Sequence, residues 1–145
     1  MSLINSFETS LLNLIFVNLD LADVGDAAGL QNSAAAGNIY VSLHTADPGE
    51  AAADQSASEM TYTGYARRAA VRSAGGWTVT GNVADNAAAI QMGENTGSPQ
   101  TSTDFGLGFA VSGATTLYMV GTADLVVSVG VDPEFAIGAL DVSLD

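Results

Sequence analysis

The hydrophobic and polar positions predict one helix at the start of the chain. Apolar residues recur there every three or four positions, which places them on one face of a helix over residues 1–20. That face consists of Ile4, Phe7, Leu11, Leu14 and Ile15. Asn5 and Glu8 have the spacing of a capping box, so we expect the helix to begin near them. The small residues of 25–37 follow as a predicted linker.

From residue 38 onward apolar residues alternate with polar ones, which is the period of a strand with one buried face. About eight such segments are separated by turn-forming residues. They are 38–44, 61–71, 77–79, 87–92, 105–111, 116–121, 125–129 and 140–144. We therefore predict a mainly β protein, an antiparallel jelly-roll-like sandwich with an N-terminal helix. Residues 1–37 are its helix and linker arm, and residues 38–145 are the β-sandwich domain.

One predicted strand has small residues along a whole face. Gly106, Gly108 and Ala110 alternate with larger apolar residues in the segment 105–111. Because a face without side chains leaves open space, we expect another backbone or a partner to approach closely there.

Composition and charge exclude several function classes. The chain has 145 residues, 16 carboxylates, three arginines, no lysine and a formal net charge of −13. Nucleic-acid binding needs several cations to neutralise phosphates, and anionic lipid would repel this chain, so neither partner is expected. The absence of cysteine excludes disulfides and thiolate metal sites, and no other residue pattern predicts a metal or cofactor.

Candidate catalytic residues are few. His44 is the single histidine, and Asp47 follows three positions later. A hydrolase triad would need a serine nucleophile on a tight turn, and the chain has no G-x-S-x-G motif. We therefore interpret His44 as a structural hydrogen-bonding residue, and we predict that the protein is not an enzyme.

The remaining polar and aromatic candidates favour ordinary structural roles. Two groups of acidic residues are expected to be solvated: Asp20, Asp23 and Asp26, then Glu50, Asp54 and Glu59. Their spacing fits neither a calcium loop nor a rigid pair of glycosidase carboxylates. Trp77 is expected in the core because aromatic residues supply large buried areas.

All three cations lie within six residues, at Arg67, Arg68 and Arg72. On a strand, Arg68 and Arg72 would share one face while Arg67 points to the other. One interpretation is internal pairing with some of the carboxylates. The other is a docking point for an acidic partner, because arginine binds carboxylates in a bidentate manner.

Several longer segments resemble a family of phage virion proteins. The most specific are YVSLHTADPGE (40–50) and YTGYAR (62–67), within a similar stretch covering 25–67. Further similar segments are GGWTVTGNVADNAA (75–88), DFGLG (104–108) and VDPEFAIGALDVSL (131–144). Proteins of this kind are labelled tail-fibre or minor structural proteins. They also resemble the jelly-roll cement, or decoration, proteins that coat the heads of short-tailed bacteriophages.

This resemblance implies a non-enzymatic structural protein of the virion. A cement protein would lie on the capsid exterior as a homodimer or other homo-oligomer, and it would bridge neighbouring major capsid proteins. We expect its N-terminal helix face to contact a partner chain. Two alternatives remain open: a tail-fibre or baseplate protein that contacts a host receptor, and a small hydrolase or lyase on a jelly-roll scaffold.

Overall fold

The computed structural model describes residues 2–51 and 54–144. In it, the first apolar segment of the chain forms a continuous helix. Helix α1 (Asn5–Leu12) leads directly into a π-helical segment (Asn13–Val17). The predicted capping box is wrong, because the residue that caps the helix is Ile4 and it makes no side-chain hydrogen bond. The helix ends at Asn18, whose φ of 58° is a left-handed conformation that asparagine tolerates.

The rest of the described chain is mainly antiparallel β-structure, which confirms the predicted fold class. Its strands are β1 (Asn38–His44), β2 (Arg68–Val71), β3 (Trp77–Thr80), β4 (Val83–Asn86), β5 (Ile90–Gln91), β6 (Gln100–Gly108), β7 (Leu117–Val127), β8 (Glu134–Phe135) and β9 (Asp141–Ser143). They form a four-stranded sheet of order β2-β1-β6-β7, a three-stranded sheet of order β3-β4-β9 and the pair β5-β8.

Several predicted bounds are wrong. Of the predicted strand 61–71, residues 68–71 form a strand, β2. Residues 61–67 form a turn and irregular structure instead. The predicted segment 105–111 lies too late in the chain, since β6 begins at Gln100 and ends at Gly108. The two segments predicted at 116–121 and 125–129 are one strand, β7, which pairs with β6 from Leu117 to Val127.

Contacts divide the described chain into two compact units. Unit 1 contains residues of 1–38, 70–90 and 135–145, and unit 2 contains residues of 39–69 and 91–134. The predicted division of the chain after residue 37 stays a prediction. None of the helices among residues 2–51 and 54–144 has the length and apolar character needed to cross a membrane.

Unit 1 is organised around the helix and the three-stranded sheet. Leu12 and Phe16 are fully buried, and the Phe16 ring meets the Trp77 ring edge-on with 4.7 Å between centroids. Trp77 is 1% exposed, so its predicted core position is confirmed. Asn86 accepts hydrogen bonds from the backbone N–H groups of Ala139 and Leu140, which attaches the segment before β9.

Unit 2 is organised around β1, β6 and β7. Side chains of Val41, Leu43 and Leu107 are buried within it, and Tyr40 to His44 pair with Gly108 to Asp104. Phe105 lies over Gly121 of β7, where an added Cβ would come 2.6 Å from the phenyl ring. Bulges interrupt the β6–β7 ladder between Ser102 and Asp104 and between Leu107 and Gly108.

Candidate functional site

The most elaborate polar arrangement of unit 2 is centred on Arg67, just before β2. Arg67 is 5% exposed, and its Nε and Nη2 groups donate to the two carboxylate oxygens of Glu59 at 2.8 Å each. Nη2 also donates to the Gly113 carbonyl, and Nη1 faces Gln55 Oε1, the Ala110 carbonyl and Thr115 Oγ1. Every N–H of the guanidinium therefore has an acceptor in the chain. The hydrogen bonds that Arg67 donates to Glu59 raise the pKa of the Arg67 guanidinium.

On the carboxylate side, the arrangement continues to strand β1. Tyr65 donates its O–H to Glu59 Oε1 at 2.9 Å and accepts a hydrogen bond from the Leu43 backbone N–H at 3.0 Å. Burial is the main reason that the pKa of the Tyr65 phenol is raised. The phenol therefore stays protonated and keeps its donor role.

On the amide side, the arrangement continues to His44. Gln55 donates to the Tyr40 carbonyl at 2.9 Å and to Ser42 Oγ at 3.1 Å. Ser42 Oγ lies 2.8 Å from His44 Nε2, and His44 Nδ1 lies 2.7 Å from the Ala57 carbonyl. Because a carbonyl oxygen can only accept, Nδ1 carries the proton.

We call this connected set the polar hub, and it consists of Ser42, His44, Gln55, Glu59, Tyr65 and Arg67. Its space comes from the small residues of β6. An added Cβ at Gly106 would lie 2.5 Å from His44 Nε2 and 2.8 Å from Ser42 Oγ, and one at Gly108 would overlap the Gln55 side chain. The space over this face is therefore filled mainly by side chains of the chain itself, and not by the backbone or partner that the sequence predicts.

An open groove lies beside the polar hub. Its volume is about 350 Å³, and its lining includes Glu59, Tyr62, Tyr65, Arg67, Val111 and Gly113. Tyr62 packs edge-on against Tyr65 with 5.3 Å between ring centroids, and it donates its O–H to the Gly93 carbonyl. Burial, followed by the charge of Asp132, raises the pKa of Tyr62 to about 12. Val111 is 61% exposed at the groove.

The three arginines do not form one patch. Since β2 covers Arg68–Val71, Arg67 and Arg72 flank the strand, and the predicted alternation of faces across Arg67, Arg68 and Arg72 is wrong. Arg72 donates to the carbonyls of Leu14, Ile15 and Ala36 at 2.7, 2.6 and 3.0 Å. It thus binds the end of the helix, where the backbone dipole favours a cation. Arg68 is half-buried, and its partner-binding role stays a prediction.

The predicted apolar face of the helix is not the face that unit 1 buries. The buried stripe is Glu8, Leu12 and Phe16, spaced by four residues. Ile4 is 70% exposed and Phe7 36% exposed, while Leu11, Leu14 and Ile15 are half-buried. Of the predicted set, Ile4 and Phe7 are therefore exposed on unit 1. The contact of the set with a partner chain stays a prediction.

The interpretation of His44 as a structural residue is confirmed, because His44 is fully buried and both ring nitrogens face groups of the chain. The interpretation of Glu59 as solvated is wrong, since it pairs with Arg67. Sequence reasoning also missed Ser42, Gln55 and Tyr65. The one available signal was an arginine in an apolar strand pattern with a carboxylate eight residues before it.

Other acidic residues serve local turns. Asp26 accepts hydrogen bonds from the backbone N–H groups of Ala28 and Gly29. Two hydrogen bonds from Ser56, the side-chain one being the stronger influence, lower the pKa of Asp54. Among the described residues, no group of three side chains is placed to hold a metal ion.

A comparison with known families gives a match over residues 5–143, to the model described as podophage GP4 fiber I protein gp80. No curated protein matches the chain. The match covers nearly the whole chain, so the expected identification as a capsid cement protein on the capsid exterior is wrong. The expected partner of that role, the major capsid protein, is not tested by the match. The chain belongs to the podophage GP4 fiber I protein gp80 family and is therefore a fibre protein of the bacteriophage virion.

Proposed function

We propose that this chain is a non-enzymatic structural subunit of a tail fibre, and that the groove between Tyr65 and Val111 contacts the surface of the host cell. The family supports the fibre role. The groove combines exposed apolar surface with aromatic and charged side chains.

The observation that carries the proposal is the fixed position of both groove walls. Arg67 donates to the Ala110 and Gly113 carbonyls, which lie on either side of Val111 in the loop between β6 and β7. On the other wall, Glu59 and the Leu43 backbone hold the Tyr65 phenol. A preformed site loses little conformational entropy on binding, so a modest contact area is enough for recognition.

The polar hub supports a structural role over a catalytic one. A general base must come within about 2.6–3.2 Å of a substrate proton. His44 is 0% exposed, and its ring nitrogens are already engaged by Ser42 and Ala57. Arg67 has its donors directed at groups of the chain in the same way. These residues stabilise the loops that form the groove.

The groove proposal is tested by binding of the purified protein to host cells. Val111→Ser removes apolar area at the groove, whereas Val129→Ser is the matched control because Val129 is 59% exposed outside the groove lining. We expect Val111→Ser to weaken cell binding about tenfold, which corresponds to about 1.4 kcal/mol. Equal binding by wild type and Val111→Ser, with both melting temperatures unchanged, would contradict the groove contact.

We further propose that the exposed helix residues Ile4 and Phe7 contact another chain of the fibre. An apolar side chain that stays in water gains free energy when a partner covers it. Ile4→Ser should therefore reduce incorporation of the protein into assembled virions. Ile137→Ser is the control, because Ile137 is also 70% exposed. Equal incorporation of the two variants would rule out a helix contact.

A further inference from the structure

We infer, on the basis of the groove contact proposed above, that the groove takes an apolar side chain of a host-surface protein and not a sugar chain. Most of the groove surface is apolar, and the groove lies within unit 2. Its charged and aromatic side chains already form hydrogen bonds inside the chain. What they leave for a ligand decides the chemical class of that ligand.

The charged side chains of the groove leave few hydrogen-bonding positions free. All five N–H groups of Arg67 point at acceptors of the chain. Glu59 accepts from Arg67 at both carboxylate oxygens and from Tyr65 at Oε1, so one acceptor position is left on Oε2. Since Glu59 and Arg67 form an ion pair at 2.8 Å, they neutralise each other and present no net charge to a ligand.

The two tyrosines of the groove also have their phenol groups engaged. Tyr65 donates to Glu59 and accepts from the Leu43 backbone N–H. Tyr62 is 5% exposed and donates to the Gly93 carbonyl at 2.9 Å. The rings therefore contribute carbon surface to the groove, and their hydroxyls stabilise the chain itself.

A sugar chain would lose more hydrogen bonds with water than this groove could replace. A hydroxyl that leaves water without gaining a new partner is costly. Ser112 and Thr61 carry the exposed hydroxyls of the lining, and Thr61 Oγ1 already accepts from Gln100. An apolar side chain has no hydroxyls to satisfy, and it gains free energy by covering Val111, which is 61% exposed.

The charge of the chain disfavours anionic ligands as well. The chain has a net charge of −13 and no lysine, so it repels acidic or phosphate-bearing surface polysaccharides. A second copy of the chain carries the same charge and is repelled in the same way. A neutral or basic protein surface meets no such repulsion, and a basic one is attracted.

The size of the groove suits one anchoring side chain. Its volume of about 350 Å³ is at the low end of the ~300–1,000 Å³ of ligand pockets. Protein interfaces concentrate much of their binding energy in a few side chains that fill such pockets. We therefore expect the ligand to be a large apolar side chain with neutral or basic residues around it.

Two adjacent lining residues test this class of ligand, through binding of the full-length protein to host cells. Val111→Thr keeps the shape of the side chain but adds a hydroxyl, whereas Ser112→Ala removes one. For an apolar ligand, we expect Val111→Thr to weaken binding about tenfold, because its hydroxyl is covered without a partner. Ser112→Ala should bind as tightly as wild type. Unchanged binding of Val111→Thr, or weaker binding of Ser112→Ala, with melting temperatures unchanged, would overturn the inference.

Pretreated host cells give a second readout. Periodate cleaves the vicinal diols of sugars, and a protease that is washed away before binding removes surface proteins. We expect the difference in binding between wild type and Val111→Ser to persist after periodate and to vanish after protease. A difference that vanishes after periodate or persists after protease would overturn the inference but leave the groove contact intact. If Val111→Ser binds untreated cells as tightly as wild type, the groove contact itself fails, and the inference fails with it.

Discussion

At the level of single residues, Arg67 connects three parts of unit 2. It binds Glu59 and Gln55 before β2, and it binds backbone carbonyls of the loop between β6 and β7. Removing one partner of a buried ion pair costs about 3–5 kcal/mol, because the other charge is left without compensation. Glu59 keeps some contact with water, so Arg67→Leu should lower the free energy of unfolding by about 3 kcal/mol in urea titrations.

Arg67→Lys is the control for charge alone. Lysine keeps the positive charge, but it lacks the planar fork that reaches both Glu59 oxygens. We expect it to recover less than half of the lost stability. Full recovery would mean that the charge matters and that the geometry of the polar hub does not.

Gly106 gives a second prediction at the residue scale. An added Cβ would lie 2.5 Å from His44 Nε2 and 2.7 Å from Leu117 Cδ1, so Gly106→Ala should destabilise the protein by about 1–3 kcal/mol. Gly75→Ala is the matched control, because its nearest neighbour would be 3.6 Å away. Thermal melts of both variants measure the difference. Similar melting temperatures would show that the face of β6 has spare room.

At the level of elements, β4 and β9 bring two carboxyl groups together. Asp85 lies directly opposite Asp141 in the antiparallel register. Burial, then the hydrogen bond and charge of Asp141, raise the pKa of Asp85 above its ordinary value. Because folding favours the protonated form, this carboxyl destabilises the fold at a pH above its folded pKa. The destabilisation is lost as the pH falls through that pKa.

Asp85→Asn should therefore stabilise the protein at neutral pH by about 0.5 kcal/mol, the scale of an opposing like-charge pair. The gain should shrink as the pH is lowered into the acidic range. Chemical unfolding at neutral and acidic pH measures it. A loss of stability at neutral pH, or a gain that grows in acid, would contradict this account of the pair.

Alternation predicted the strands whose side chains meet the core. Ile39, Val41 and Leu43 form β1, and Trp77 and Val79 form β3. Alternation failed for residues 61–67, where Tyr62 and Arg67 direct their polar groups toward acceptors distant in the sequence. Such hydrogen bonds leave no periodic signal, so tertiary contacts decided the backbone there.

The helix shows a different limit of prediction from the sequence pattern. Its period was correct, but the predicted face was not the buried one. Glu8 occupies the buried stripe with Leu12 and Phe16. A carboxylate is rarely placed in a core by pattern reasoning, because burial of a charge is costly. The polar hub was equally hidden, since Gln55 and Arg67 are ordinary surface residues by composition.

For the whole molecule, the net charge of −13 predicts a response to salt. Carboxylates that repel one another destabilise a folded chain, and salt screens the repulsion within about 10 Å at 0.1 M. The melting temperature should rise as NaCl increases from about 0.01 M to about 0.5 M. A fall over that range would show that attractive charge pairs dominate the fold.

The central claim is that this chain is a tail-fibre subunit, as membership of the podophage fiber I family indicates. Its copy number and position in purified virions test that claim most directly. Quantitative mass spectrometry combined with electron microscopy of labelled particles would measure both. We predict a small number of copies, located at the tail. Hundreds of copies distributed over the head would contradict the account.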